Sequence, residues 1–235
     1  VDAAKAISQG ISEDGGLFVP MSFPQISLDD IKKMSEMSYI DRAKKVLSLY
    51  LTDFSEEEIS YCVNGAYEEG KFDSVKVAPV VPFNNEAYIL ELFRGPTCAF
   101  KDMALQILPH LLTKSLKKTA DGVNAVILVA TSGDTGKAAL EGFKDVENTQ
   151  IIVFYPENGV SAMQKHQMNT QAGENVYVCA IKGNFDDAQT GVKSIFTNKE
   201  ILDRFEKNNL VFSSANSINW GRLAPQIVYY VSAYC

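Results

Sequence analysis

The chain has 235 residues, with 22 basic against 29 acidic side chains, a formal net charge of −7, and 46% apolar residues. This length and composition exclude a disordered, collagenous or coiled-coil protein and indicate one or two globular domains. The acidic balance argues against nucleic acid as a partner, because no broad basic face is expected. The longest apolar run, 123–130, is too short to span a bilayer, so we expect no membrane partner.

The cysteines and histidines limit the chemistry available to the chain. The cysteines form no CxxC motif and no signal peptide is visible, so we expect free, buried thiols in a reducing cytoplasm. The four cysteines are Cys62, Cys98, Cys179 and Cys235. The two histidines, His110 and His166, leave little material for a zinc site or a Ser/His/Asp triad, so we predict no metal site.

Residues 1–78 are predicted to form a mainly helical N-terminal domain. Ser27 is predicted to cap one helix. Ser55 and Glu58 have the spacing of a capping box and predict the start of another. These capping signals predict where the helices start without any use of the apolar periodicity.

After residue 78 the pattern changes to strands and helices in alternation. The predicted strands are 87–93, 123–130, 150–155, 175–181 and 211–212. The predicted helices, the first of them kinked at Pro109, are 102–118, 135–144, 161–170 and 185–196. Such alternation is typical of βαβ units with a parallel sheet, so the second predicted domain, 79–235, is α/β.

The first motif that carries chemistry is GPTCAFKD at 95–102, a turn that leads into a helix. Lys101 lies at the helix start, where the helix dipole disfavours a cation and so favours the neutral, nucleophilic amine. An exposed lysine in the first turn is the simpler interpretation of Lys101 taken alone, because most lysines are solvated.

The second motif, TSGDTGK at 131–137, follows a buried strand and opens a helix. Its hydroxyls and free amides form an anion cradle. It is not a Walker A loop, because Thr131 stands where a glycine is required, and it is not GxGxxG. An ordinary turn with Asp134 or Thr135 as the helix cap is the alternative.

The third motif, NSINWGRL at 216–223, supplies amides, a hydroxyl and Arg222 at a strand-to-helix turn. A guanidinium here suits a phosphate or a carboxylate through paired hydrogen bonds, and a surface arginine on a capped helix is the alternative. Trp220 is predicted to lie in the core. His110 is predicted to be packed against its neighbours, and His166 to lie at the surface.

Taken together, these motifs resemble the threonine synthase family of pyridoxal 5′-phosphate (PLP) enzymes. That family has the tryptophan-synthase-β-like fold, or fold type II, in which helices flank parallel sheets. The matching motifs, which run in order through nearly the whole chain, are DGGLFVP at 14–20, ELFRGPTCAFKD at 91–102, ATSGDTG at 130–136, YPE at 155–157, QKHQM at 164–168, GNFDD at 183–187 and SINWGR at 217–222. Arg94 and Cys98 depart from the family pattern, which has histidine and a larger apolar residue at these places.

The resemblance implies a reaction and a set of site residues. It implies that Lys101 holds PLP as a Schiff base and shuttles the proton at Cα, and that O-phospho-L-homoserine and water become L-threonine and phosphate. It implies that Asp134 and Thr135 contact the cofactor. The residues expected to contact the substrate are Thr131, Ser132, Gly133, Asn219 and Arg222.

Two alternatives stay open. The chain could belong to another enzyme of the same fold, a phospholyase or a serine/threonine dehydratase, or to a non-catalytic metabolite-binding module that uses the loop at 132–136. The oligomeric state, monomer or homodimer, is also open. Enzymes of this fold hold the cofactor phosphate with a glycine-rich loop, and 1–235 contains none. We therefore expect roughly the first half of a longer cytoplasmic enzyme, which by itself binds the cofactor poorly.

Overall fold

The computed structural model describes residues 1–235, the whole chain. The first part is helical, as predicted, and the sequence between its first two helices is irregular. Its helices are α1 (Ala3–Gln9), α2 (Leu28–Ser35), α3 (Tyr39–Ser48) and α4 (Glu56–Tyr67). None of the helices in the structure has the length and apolar character required to cross a membrane.

The predicted capping residues begin their helices. Ser27 Oγ accepts a hydrogen bond from the amide of Asp30, and Ser55 Oγ accepts one from the amide of Glu58. In both pairs the acidic side chain accepts a hydrogen bond from the serine amide in return. Each capping box thus satisfies two backbone amides that have no partner inside the helix, which confirms both predicted starts.

Residues 79–119 differ from the sequence prediction in two places. A short antiparallel hairpin of β1 (Val80–Pro82) and β2 (Tyr88–Leu90) replaces the single predicted strand. The predicted helix is interrupted, giving α5 (Asp102–Leu105) and α6 (Leu108–Thr119), with Pro109 in the first turn of the second. Proline lacks an amide hydrogen and its ring crowds the carbonyl four residues earlier, so the helix ends there and starts again.

A four-stranded parallel sheet forms the second part, again as predicted. Its strands are β3 (Asn124–Ala130), β4 (Thr149–Pro156), β5 (Val176–Ile181) and β6 (Leu210–Ser214), in the order β5-β4-β3-β6. The helices that connect and follow them are α7 (Asp134–Phe143), α8 (Ala162–Asn169), α9 (Phe185–Thr197), α10 (Lys199–Lys207) and α11 (Trp220–Tyr234). Of these, α10 is not among the predicted helices.

The strand order reverses between β3 and β6. The chain proceeds from β3 to β4 and β5 on one side and then returns, so that β6 pairs with the other edge of β3. Leu128 lies opposite Ser214, which brings the carboxyl ends of these two strands together. Open α/β sheets bind ligands at the carboxyl edge where the strand order reverses, so this edge is the first place to look for a site.

The core extends across the boundary predicted at residue 78. One cluster of 41 buried residues joins Ile7 of α1 and Leu47 of α3 with Ile127 of β3 and Phe143 of α7. A smaller cluster covers the opposite face of β3 and includes Val126. The division at residue 78 stays a prediction, and the residues on both sides of it pack into one core.

The histidines lie as the sequence predicts, whereas the cysteines do so only in part. All four thiols are free, but the expectation that they are buried is confirmed for Cys62 alone, because Cys98 and Cys179 are exposed and Cys235 is half-buried. Cys62 is buried, and its burial raises the pKa of its thiol to about 12. His110 packs against Gly65, where an added Cβ would lie 2.8 Å from the imidazole, and His166 is exposed. Trp220 is 9% exposed and belongs to the core, as predicted.

Candidate active site

The turn before α5 is held by a buried carboxylate. Asp102 is fully buried, and the amide and hydroxyl of Thr97 donate to its two oxygens over 2.8 and 2.7 Å. Burial raises the pKa of Asp102, against the opposing effect of these two hydrogen bonds. A Cβ at position 95 would lie 2.6 Å from Asp102 Oδ2, so only glycine fits there. The hydrogen bonds between Thr97 and Asp102 thus fix the backbone on both sides of Lys101.

Lys101 lies between an aromatic ring and a carboxylate. Its side chain is 18% exposed, and Nζ lies 4.2 Å from the centroid of the Phe100 ring. Asp134 Oδ2, in the first turn of α7, is 3.7 Å from Nζ. The structure therefore brings together the two residues that the first and second motifs supply, although 33 positions separate them in the sequence.

The loop between β3 and α7 is shaped by a buried threonine. Thr131 Oγ1 accepts hydrogen bonds from the amides of Gly133 and Gly136 over 2.9 and 2.8 Å. The alternative, in which Asp134 or Thr135 caps this helix, is wrong, because Gly133 occupies the cap position and no side chain caps the helix. The amides of Asp134 and Thr135 meet no acceptor within the chain and remain available to an anion.

The exposure of the loop residues separates two groups. Thr131 is 1% exposed and its hydroxyl is engaged by the loop, whereas Ser132 is exposed beside it. Gly133 has a φ of +137°, a conformation that side-chain-bearing residues rarely adopt. The loop therefore exposes Ser132 and the first turn of α7 at the carboxyl edge of the sheet. Thr131 lies buried beneath the loop and holds its backbone through hydrogen bonds.

The loop between β6 and α11 is tied to the rest of the fold by two asparagines. Asn219 is fully buried; its Nδ2 donates to the carbonyls of Ile7 and Ser214, and its Oδ1 accepts from the amide of Gly221. The side chain of Asn216 forms two hydrogen bonds with the backbone of Ala130 at the end of β3. The predicted site includes Asn219 but not Asn216, whose pairing with a residue 86 positions away has no local sequence signal.

Arg222 is a buried cation with an incomplete set of partners. It is 4% exposed, so the alternative of a surface arginine is wrong. One terminal nitrogen donates to the carbonyl of Ala215 over 2.7 Å, and the other lies 3.5 Å from Thr135 Oγ1. Nε has no partner. Burial lowers the pKa of Arg222 to about 10, a value at which the side chain remains charged at neutral pH.

The three motifs therefore converge on the first turn of α7. Lys101 reaches Asp134, and Arg222 reaches Thr135. A further contact comes from Gln164 of α8, whose Nε2 donates to Asp134 Oδ1 over 2.8 Å. The sequence signal for Gln164 was its place in the QKHQM motif, but nothing in that motif indicates its partner. The result is a polar edge that holds a primary amine, a guanidinium, a carboxylate and the hydroxyl of Thr135.

Comparisons with known proteins identify relatives along the whole chain. A family model described as "Threonine synthase N terminus" matches residues 1–67. Threonine synthase-like 1 of Pongo abelii is 40% identical over 240 aligned positions, which cover 98% of this chain and 32% of that protein. Threonine synthase of Pseudomonas aeruginosa is 40% identical over 225 positions, which cover 95% and 46%. The crystal structure of PLP-bound threonine synthase from Brucella melitensis has a TM-score of 0.88 and 37% identity, covering 100% of this chain and 49% of that one.

The fold and the lysine-bearing turn define a class, the α/β proteins of the tryptophan-synthase-β type, or fold type II, as the sequence predicts. Within that class, the chain is similar to threonine synthases, both in sequence and in structure. It spans 32% of the length of the first of these relatives and 46% of the length of the second.

Proposed function

We propose that the full-length protein carrying this chain is a threonine synthase, which converts O-phospho-L-homoserine and water to L-threonine and phosphate with PLP as cofactor. The observation that carries the proposal is the partly exposed amine of Lys101 at the carboxyl edge of the sheet, 3.7 Å from Asp134. The similarity to threonine synthases, one of them with PLP bound, supports it.

The residues present fit such a cofactor and an anionic substrate. Arg222 is buried and charged, and its Nε lacks a partner, which is costly unless an anion approaches. The free amides of Asp134 and Thr135 at the helix start favour negative charge in the same place. The primary amine suits the aldehyde of the cofactor. The buried guanidinium and the helix amides suit the phosphate and carboxylate groups of the cofactor and the substrate.

Each residue then has a role at a stated atom. Lys101 would hold the cofactor covalently, and its amine, once released by the substrate amine, takes the proton from the substrate Cα. Asp134 and Thr135 would contact the cofactor. PLP, when bound, supplies an electron sink for the carbanion that this proton transfer leaves. Over the whole reaction, the substrate would lose phosphate from Cγ and a proton from Cβ, and it would gain a proton at Cγ and the hydroxyl of water at Cβ. The other proton of the water would go to the phosphate, and the proton held by Lys101 would return to Cα.

Substrate contacts are assigned to the two other loops. Ser132 would bind the substrate carboxylate, and Gly133, whose amide is engaged by Thr131 Oγ1, would set the loop conformation that presents Ser132. Arg222 would bind the substrate phosphate through paired hydrogen bonds. Thr131 and Asn219, whose side chains are already engaged, would act on the substrate through the loops that they shape. We further propose a cytoplasmic protein, because its free thiols suit a reducing compartment.

Borohydride reduction and product analysis test this function. When the full-length protein is loaded with PLP and reduced with borohydride, the reduced cofactor should be attached to Lys101. The Lys101→Ala variant should carry no such label. O-phospho-L-homoserine should give threonine and phosphate. Formation of 2-oxobutyrate would instead identify a phospholyase, and conversion of serine or threonine a dehydratase. A protein that refuses PLP would indicate a metabolite-binding module, and label on another lysine would refute the assigned role.

Arg222→Ala tests the substrate-phosphate contact. We expect a rise in KM for O-phospho-L-homoserine of about tenfold or more, because a charged hydrogen bond is lost. Arg204→Ala, at an exposed position on α10, is the matched control and should leave the kinetics unchanged. Unchanged kinetics for Arg222→Ala would refute the assignment.

The oligomeric state needs a separate measurement. The size of the protein in solution, measured in the same preparations, decides between monomer and homodimer.

A further inference from the structure

Gln164 touches the side chain that faces the reactive lysine. Its Nε2 donates to Asp134 Oδ1 over 2.8 Å, while the other oxygen of the same carboxylate faces Lys101 Nζ at 3.7 Å. That second separation is longer than a hydrogen bond. The amine of Lys101 therefore has a counter-charge close by and makes no hydrogen bond with it.

The amide of Gln164 is itself fixed from two sides. Its Oε1 accepts from the amide of Ser161 over 3.0 Å, as part of the capping box that begins α8. It also lies flat on Gly133, where an added Cβ would come within 2.2 Å of Gln164 Cδ. Both contacts hold the amide in place without help from Asp134, so it can act as a fixed restraint on that carboxylate.

A neighbouring lysine has a comparable set of partners. Lys137, one turn further along α7, lies 3.6 Å from Glu141 Oε2, and Gln171 Nε2 donates to the same oxygen over 2.8 Å. The amine of Lys137 also donates to Gln171 Oε1, so that glutamine engages both the carboxylate and the lysine. Lys101 differs, because Gln164 Oε1 accepts from the amide of Ser161 and not from the lysine.

We propose that Gln164 is a positioning residue, which restrains Asp134 so that the Lys101 amine stays free to react. In its absence, the attraction between the two charges would draw Asp134 Oδ2 into hydrogen-bond contact with Nζ. A paired ammonium is a poorer nucleophile, because it must lose both a proton and a partner before it reacts. The inference rests on the role proposed above for Lys101.

The test is a double-mutant cycle read by chemical labelling. The full-length protein, freed of PLP, is treated with acetic anhydride in the presence of a free amine as standard. The rate of acetylation of Lys101 is measured from the peptide that contains this residue. The variants are Gln164→Met, which has similar length and no charge or amide donor, Asp134→Asn, and the pair. Because the assay uses neither cofactor nor substrate, its outcome is separate from that of the product assay.

We expect Gln164→Met to slow acetylation of Lys101 about threefold, the effect of closing one partly exposed ion pair. In the Asp134→Asn background the same change should alter the rate by less than about 1.5-fold, because no charged partner remains to close on the amine. Ser161→Ala is the control: it weakens the cap of α8 and keeps the contact between Gln164 and Asp134, so the rate should not change.

Three results would overturn the proposal. Equal slowing in both backgrounds would show that Gln164 acts on Lys101 without Asp134. An unchanged rate would show that it does not act at all. Faster acetylation in Gln164→Met would show that Gln164 presses Asp134 toward the lysine instead of restraining it.

Discussion

Thr97→Val removes the hydroxyl that donates to the buried carboxylate of Asp102. Asp102 is fully buried, and its two donors within 2.8 Å both come from Thr97, one from the backbone amide and one from the hydroxyl. Valine has nearly the same shape as threonine, so the substitution deletes one hydrogen bond and leaves the volume intact. The carboxylate would then keep the Thr97 amide as its donor within 2.8 Å, in a place that water does not reach.

The expected cost follows from the charge and the burial of the acceptor. A hydrogen bond to a buried charged group contributes about 1.5 to 3 kcal/mol, so we expect Thr97→Val to lower the free energy of unfolding by about 2 kcal/mol at neutral pH. Thr97→Ser keeps the hydroxyl and loses one methyl group, for a cost of about 0.8 kcal/mol. Thr113→Val, whose hydroxyl bonds only to the carbonyl of His110 on a partly exposed helix, should cost less than about 0.5 kcal/mol.

The pH dependence gives a second, independent check. Burial raises the folded-state pKa of Asp102 above its usual value, so the folded state binds this proton more readily than the unfolded state. The charged form therefore costs stability that is fully felt at neutral pH and is recovered as the pH falls through the folded pKa. Because Thr97→Val raises that pKa further, the difference between variant and parent should shrink under acidic conditions.

Urea denaturation of the full-length protein, followed by far-ultraviolet circular dichroism at neutral and acidic pH, measures both effects. Stability of Thr97→Val within about 0.5 kcal/mol of the parent at neutral pH would refute the reasoning. So would an equal loss in Thr97→Ser, since the hydroxyl would then not be the group that matters.

Three further predictions follow from single side chains. Gly95→Ala should lower the free energy of unfolding by about 1 to 3 kcal/mol, because its Cβ would meet Asp102, whereas Gly191→Ala, a helix position with open space, should raise it by up to about 1 kcal/mol. Burial, and then the charge of a nearby lysine, lower the pKa of His110, so the unfolded state binds that proton more readily and stability should fall as the pH drops through about 6.5; a His110→Gln variant should lack this loss in urea titrations. Iodoacetamide should modify exposed Cys98 and spare Cys62 in the native protein, as read by peptide mass spectrometry, and equal reaction would contradict the described burial.

Local signals explain why the element pattern could be predicted. The capping boxes at Ser27 and Ser55 need only residues three apart, and the apolar run of β3 is contiguous in the sequence. The break between α5 and α6 was placed at Pro109 as a kink, because the sequence shows the missing amide but not whether tertiary packing will bend or divide the helix. The hairpin was missed because β1 is three residues long and contains a proline.

The site was only partly predictable, because its contacts connect distant positions. The motifs identify Lys101 and Arg222. They do not indicate that Arg222 is buried and reaches Thr135, because this depends on how β6 pairs with β3. Asn216 bonds to the end of β3 from 86 positions away, and Gln164 bonds to Asp134 from 30 positions away. Pairings of this kind have no periodicity or spacing that a single sequence reveals.

Burial divides the motif residues into two kinds, and this division sharpens what mutations should show. Thr131 and Asn219 have ligand-like side chains, yet both are buried and hydrogen-bonded to the backbone of their own loops. Ser132 and Lys101 keep exposed surface at the same edge of the sheet. Substitution of the first pair should therefore reduce stability together with function, because a buried backbone group loses its partner. Substitution of the second pair should reduce function and leave the fold intact. Arg222 combines both properties: it is buried like the first pair, yet its unpaired Nε is the feature that an anionic substrate would complete.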